Sequence, residues 1–342
     1  LVRQGRWGSG LMMAAALGMC CRWGRDQRAW ALLVCTGVKE VAQEEDLSGM
    51  STEDAIQHYF RVDVQTLIEK YPAVQRYQVQ RVRDIAECIT GVGVDVKRVV
   101  NRYPPVVGFD IGRMHTTVAF LRELGLDVPK VVNRLPAVFG YSLPNMRGSV
   151  AYLDDLGVDV RKVMNRYPAI FGLSSDNLQG TAAYLSAMGV NVPQAVNRHP
   201  AVFGYSLQNM RSTVAYLQEL GVDVPKVVNR LPSVFGYSLA NLQGTVAFLQ
   251  GLGVDVPKVV GRAPGVFGFR LQSMAATVAY LQGLGLDVPR LVNALPAIFS
   301  LSLQGNIVPK VAFLEEEMAR PVAEIDRFPA FLSYSLEKRI RP

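Results

Sequence analysis

From Asp127 onward, apolar Val128, Val131, Val132 and Leu135 recur at i, i+3, i+4 and i+7, with Lys130 and Arg134 set between them. That spacing lays a single apolar stripe along a helix of 3.6 residues per turn. Asp127 suits the N-cap, and Pro129 falls in the first turn, where no intrahelical N–H is required. The helix must end near Leu135, because Pro136 disfavours helical geometry in the residue before it and has no N–H to donate. The apolar "AVFGYS" that follows predicts a tight turn. Ser142 then caps a second, longer helix whose buried stripe is Met146, Val150, Leu153 and Leu156, closed by Gly157.

The same text recurs. Pro72, Pro104, Pro136, Pro168, Pro200, Pro232, Pro264 and Pro296 stand 32 residues apart, and Pro329 follows after 33. "DVPKVVNRLPAVFGYSL" at 127–143 returns at 223–239 with one change, Ala137 against Ser233. Neither helix of a unit can bury its stripe alone, so neighbouring units must stack. The expected fold is an all-α solenoid of 32-residue helical repeats over 51–342, with irregular units as end caps. The tetratricopeptide and ankyrin signatures are absent.

The short helix ending in "NRLP" or "NRYP", the turn "AVFGYSL", the longer helix closing on "LG" and the tail "RFPAFLSYSLEKRIRP" together resemble the mitochondrial transcription termination factor (mTERF) family of plant and algal type. The resemblance covers about residues 60 to 342. It implies a left-handed superhelix of helical triplets, a chloroplast or mitochondrial location, and nucleic-acid binding that controls transcription, RNA maturation or ribosome assembly. The repeats are more uniform than the family pattern, which argues against base recognition position by position.

On a helical wheel Lys130 and Arg134 fall together, opposite the valine stripe. The pair recurs as Arg98 and Arg102, Lys162 and Arg166, Lys226 and Arg230, and Lys258 and Arg262, while Arg198 and Arg290 each keep one member beside Gln194 and Ala294. Stacked repeats would align these residues into a basic ridge, the candidate nucleic-acid-binding surface. The competing reading is a solvated face whose cations offset the helix macrodipole. Like charges at i, i+4 repel by a few tenths of a kcal/mol, so helix stability alone does not favour the pair, although duplication would copy it. Asn101, Asn133, Asn165, Asn197, Asn229 and Asn293 could meet a phosphate or serve as local caps. Phe139, Phe171, Phe203, Phe235, Phe267 and Phe299 read as core plugs rather than base-stacking platforms.

Charge and composition add little: 36 Lys and Arg against 29 Asp and Glu give +7, which favours anionic partners without identifying one. Residues 1–50 are arginine-rich with no acidic residue before Asp26 and read as an organellar targeting or disordered segment; a secretory signal is the rival reading. The first residue is Leu1 rather than Met, so an upstream start is expected. Cys20, Cys21, Cys35 and Cys88 lack metal-ligand spacing and lie far from His58, His115 and His199 in sequence. No nucleophile, phosphate loop or paired-carboxylate pattern assembles an active site. The expectation is therefore a non-enzymatic, cofactor-free, monomeric protein without membrane association. It binds double-stranded DNA and regulates transcription, for example its termination. A structured-RNA binder for ribosome assembly or intron splicing, and a protein scaffold, are the alternatives.

Overall fold

The computed structural model describes residue 47 and residues 49–340. The segment read as a targeting sequence, with Cys20, Cys21 and Cys35, lies almost entirely outside the described residues. The chain is an all-α solenoid that divides into two compact units, one ending at Leu143 and the other beginning at Pro144.

The repeat beginning at Asp223 shows the construction. The Asp223 carboxylate accepts from the Lys226 N–H at 2.9 Å and caps the short helix Val224–Arg230, with Pro225 in its first turn. Val224, Val227 and Val228 are buried. Leu231 leaves helical geometry at φ −136°, and Pro232–Gly236 then forms a 3-10 turn that buries Val234 and Phe235. Ser238 accepts from the Asn241 N–H at 3.2 Å and caps the long helix Leu239–Gly251. Gly253, at φ +70°, closes that helix in the left-handed conformation that disfavours a side chain.

The turn expected from "AVFGYS" is therefore a helical turn in its own right, so each repeat carries three helical elements. Its phenylalanines Phe139, Phe171, Phe203, Phe235, Phe267 and Phe299 are all buried. The glycine that follows Phe139, Phe203, Phe235 and Phe267 has a packing reason. A Cβ on Gly236 or Gly268 would stand 2.6 or 2.7 Å from the Tyr205 or Tyr237 hydroxyl of the preceding turn.

The long-helix stripe differs from the expected one. Met146 and Leu153 are buried as predicted, but Ser149 is buried where Val150 was expected, and Val150 and Leu156 are only half-buried. Thr181, Thr213, Thr245 and Thr277 are buried at the same position of the second unit. Ser149 bonds back to the Asn145 carbonyl four residues earlier and Thr277 to that of Ser273, both at 3.1 Å, whereas the buried hydroxyl of Thr245 has no partner.

The first unit starts with the helix Thr52–Ala55, closed by a reciprocal cap between Ser51 and Asp54. It continues through the short helices Val64–Lys70, Val96–Arg102 and Val128–Arg134 and the long helices Val79–Gly91 and Ile111–Glu123. The second unit carries the short helices Val160–Arg166, Val192–Arg198, Val224–Arg230, Val256–Arg262 and Val288–Ala294, then a less regular terminal repeat.

Candidate nucleic-acid interface

Each short helix presents its cations from fixed backbone positions. The third helical residue is anchored by the N-cap: the backbone N–H of Arg98, Lys130, Lys162, Lys226, Lys258 and Arg290 donates to Asp95, Asp127, Asp159, Asp223, Asp255 and Asp287 at 2.7 to 3.0 Å. Their side chains are exposed, opposite the buried valines. The second cation of each pair follows one turn later, about 6 Å along the axis. Arg102, Arg134, Arg166, Arg198, Arg230 and Arg262 are likewise exposed.

These arginines are not simply free surface charges. In the first unit Arg102 Nη1 donates to the Asn133 carbonyl of the next short helix at 2.8 Å. In the second unit Arg198 Nη1 donates to the carbonyls of Asn229 at 2.8 Å and Arg230 at 3.3 Å. Arg230 Nη1 donates to Gly261 and Arg262, both at 2.9 Å. Arg166 and Arg262 make the corresponding bonds to Asn197 at 3.4 Å and Asn293 at 3.2 Å. Each guanidinium thus sits on the carbonyl end of the neighbouring helix, where the macrodipole is negative and the last carbonyls lack intrahelical partners. A guanidinium has five N–H donors, so the clasp leaves others for an anion and holds the group in place beforehand.

Three of the asparagines have a structural task that periodicity does not show, while the side-chain oxygen of Asn133 is buried without a partner. The side-chain carbonyl of Asn197 accepts from the Asp159 N–H at 3.0 Å, that of Asn229 from the Asn191 N–H at 2.9 Å, and that of Asn293 from the Asp255 N–H at 3.0 Å. The end of one short helix is thereby tied to the start of the short helix in the preceding repeat. Gly261 stands where the next asparagine would fall, and the space around its Cα is open.

In the second unit the structure groups Lys162, Arg166, Arg198, Lys226, Arg230, Lys258, Arg262 and Arg290 on one tier of short helices. Arg98, Arg102, Lys130 and Arg134 occupy the equivalent tier of the first unit. Beside the second tier, His199 Nε2 lies 2.7 Å from the Tyr205 hydroxyl. Burial, and secondarily the charge of Arg166, lowers the pKa of His199, while burial raises that of Tyr205. In the first unit Arg81 was not among the expected residues, yet it bonds the carbonyls of Gly108 and Phe109, both at 3.3 Å, and lies 4.6 Å from the Tyr77 ring centroid. Burial, followed by the bond to Tyr71, pushes the Tyr77 hydroxyl up to about 12.

Among the described residues no cluster of His, Cys, Asp or Glu is placed to hold a metal ion, and no helix is long and apolar enough to cross a membrane. A family model described as mTERF matches residues 62–212 and 208–342. No curated protein matches the chain.

Proposed function

The chain belongs to the mTERF family, a family of nucleic-acid-binding regulatory proteins, and from that premise we propose that it binds duplex DNA in an organelle and regulates transcription, for instance by terminating it. The observation that carries this reading is the tier of exposed cations on successive short helices, with Arg102, Arg166, Arg198, Arg230 and Arg262 each seated on the carbonyl end of the next short helix. Packed helices stand about 8–10 Å apart, so one rung faces about three base pairs at 3.4 Å rise. Lysines and arginines at that spacing neutralise phosphates and set register rather than read bases.

If Lys162, Lys226, Lys258 and Arg290 each neutralise a phosphate, log K falls against log salt with a slope of about −3.6. The test is fluorescence anisotropy with labelled duplex DNA across a salt series, with matched RNA duplex as competitor. Steep salt dependence with DNA preferred supports the reading. RNA displacing DNA at equal concentration would transfer it to a structured RNA. Salt-insensitive or absent binding would remove the electrostatic interface.

A further inference from the structure

Between residues 95 and 294 the third position of the short helix carries a cation in Arg98, Lys130, Lys162, Lys226, Lys258 and Arg290, and in one repeat it carries Gln194; outside that run the first short helix has Thr66 there. The N-cap of that same repeat is Asn191, where the repeats on either side have Asp159 and Asp223. The local fold is untouched by the exchange. The Gln194 N–H donates to the Asn191 side-chain oxygen at 2.9 Å, just as the Lys226 N–H donates to Asp223 at 2.9 Å. The arginine clasp also runs on through this repeat, since Arg198 holds the Asn229 carbonyl at 2.8 Å. Only the chemistry offered to a ligand has changed.

That change is coherent. Removing the lysine alone would leave a capping carboxylate without its neighbouring cation, facing the phosphates; Asn191 keeps the cap and removes the negative charge. What remains at the exposed rung is a carboxamide, which offers one acceptor and two donors in a plane. An ammonium on the flanking rungs is a point charge that carries no base information. A glutamine carboxamide matches the N6 donor and N7 acceptor of adenine in the major groove.

We propose that Gln194 is the residue through which this otherwise uniform array selects its site, by reading an adenine at one position of the duplex while the cationic rungs on either side hold the phosphates. The proposal rests on the duplex-DNA reading above. It makes sequence choice a property of the one uncharged rung that has a lysine rung on either side, Lys162 and Lys226.

The experiment selects sites from a randomised 30-base-pair duplex pool with the full chain, then measures binding to the enriched duplex and its single-pair variants. The wild-type protein should enrich one A·T pair whose exchange for G·C weakens binding about fivefold to a hundredfold. Gln194→Ala should lose that discrimination and keep the salt slope. Gln194→Lys should bind more tightly, lose the discrimination and steepen the slope by about 1. If Gln194→Ala keeps the wild-type preference, or if the wild type binds duplex DNA steeply with salt but enriches no such pair, the role of Gln194 is overturned while the electrostatic interface stands. Absence of salt-dependent duplex binding in the wild type would overturn both.

Discussion

The interior repeats of the second unit and its terminal repeat solve the same stacking problem with different chemistry. From Asp159 to Asn293, adjacent short helices are joined by several exposed or half-buried contacts, an asparagine side-chain carbonyl on one backbone N–H, save at Gly261, and an arginine on one or two backbone carbonyls. In the terminal repeat Asp326 replaces the asparagine and accepts from the Asp287 N–H at 3.1 Å. Ala294 replaces the arginine, and the load passes to a buried cation. Lys310 is 2% exposed; its ammonium donates to Asn306 at 2.6 Å and to the Leu332 carbonyl at 2.5 Å, and burial lowers its pKa. Interior stability is therefore distributed over small repeated terms, while the end of the array depends on one desolvated group.

The sharpest way to break this contrast is Lys310→Ala, which leaves Asn306 and the Leu332 carbonyl without their charged partner and opens a cavity. A loss of about 3 kcal/mol is expected. Hydrogen exchange should accelerate most in 329–340 and less in the interior repeats; uniform acceleration would show that the end is not a separate source of stability.

Interior contacts should count for less. Asn229→Ala leaves the Asn191 N–H without its acceptor and should cost about 1–2 kcal/mol in urea unfolding. Gly261→Asn tests the same tie in the opposite direction. The Asn side chain has open space and restores the missing acceptor for the repeat starting at Asp223, with better helix propensity than glycine. A gain of about 1 kcal/mol is expected. A loss would mean that the asparagines are not the ties described.

A smaller effect concerns pH. The folded-state pKa of His199 lies below its usual 6.5, so the fold favours the neutral ring. The associated stability is present above about pH 6.5 and is lost as the pH falls from there through the lowered folded value. His115, also lowered by burial, acts with the same sign. The urea midpoint should fall between pH 7.5 and 5.5, and His199→Leu, which copies Leu231, should flatten that fall without abolishing it.

The smallest stability change is expected where the function is proposed to lie. Lys226→Ala should move the urea midpoint by no more than about 0.5 kcal/mol, since the side chain is exposed and the cap bond uses its backbone.

What could be read from sequence and what could not follows the same division. Val224, Val227 and Val228 alternate with the 3.6-residue period, and Pro232 punctuates it, so helix bounds and core face were legible. The ties were not, because they join residues 38 apart, such as Asp159 to Asn197, through hydrogen bonds that leave no hydrophobic period. The arginines were legible as exposed cations but not as clasps, since a wheel shows direction and not the carbonyl end of the next helix. Lys310 misleads by its letters. "VPKVA" at 308–312 resembles the interior "VPKVV" of 224–228, yet it falls in the long-helix phase, where the lysine points into the core rather than outward.

The central claim is that the exposed lysines of the short helices meet phosphates. It is tested most directly by the salt dependence of duplex-DNA binding for the wild type and for the triple variant Lys162→Ala, Lys226→Ala, Lys258→Ala, with circular dichroism to check that helical content is unchanged. The triple variant should flatten the slope by about 2.7. An unchanged slope, with the fold intact, would contradict it.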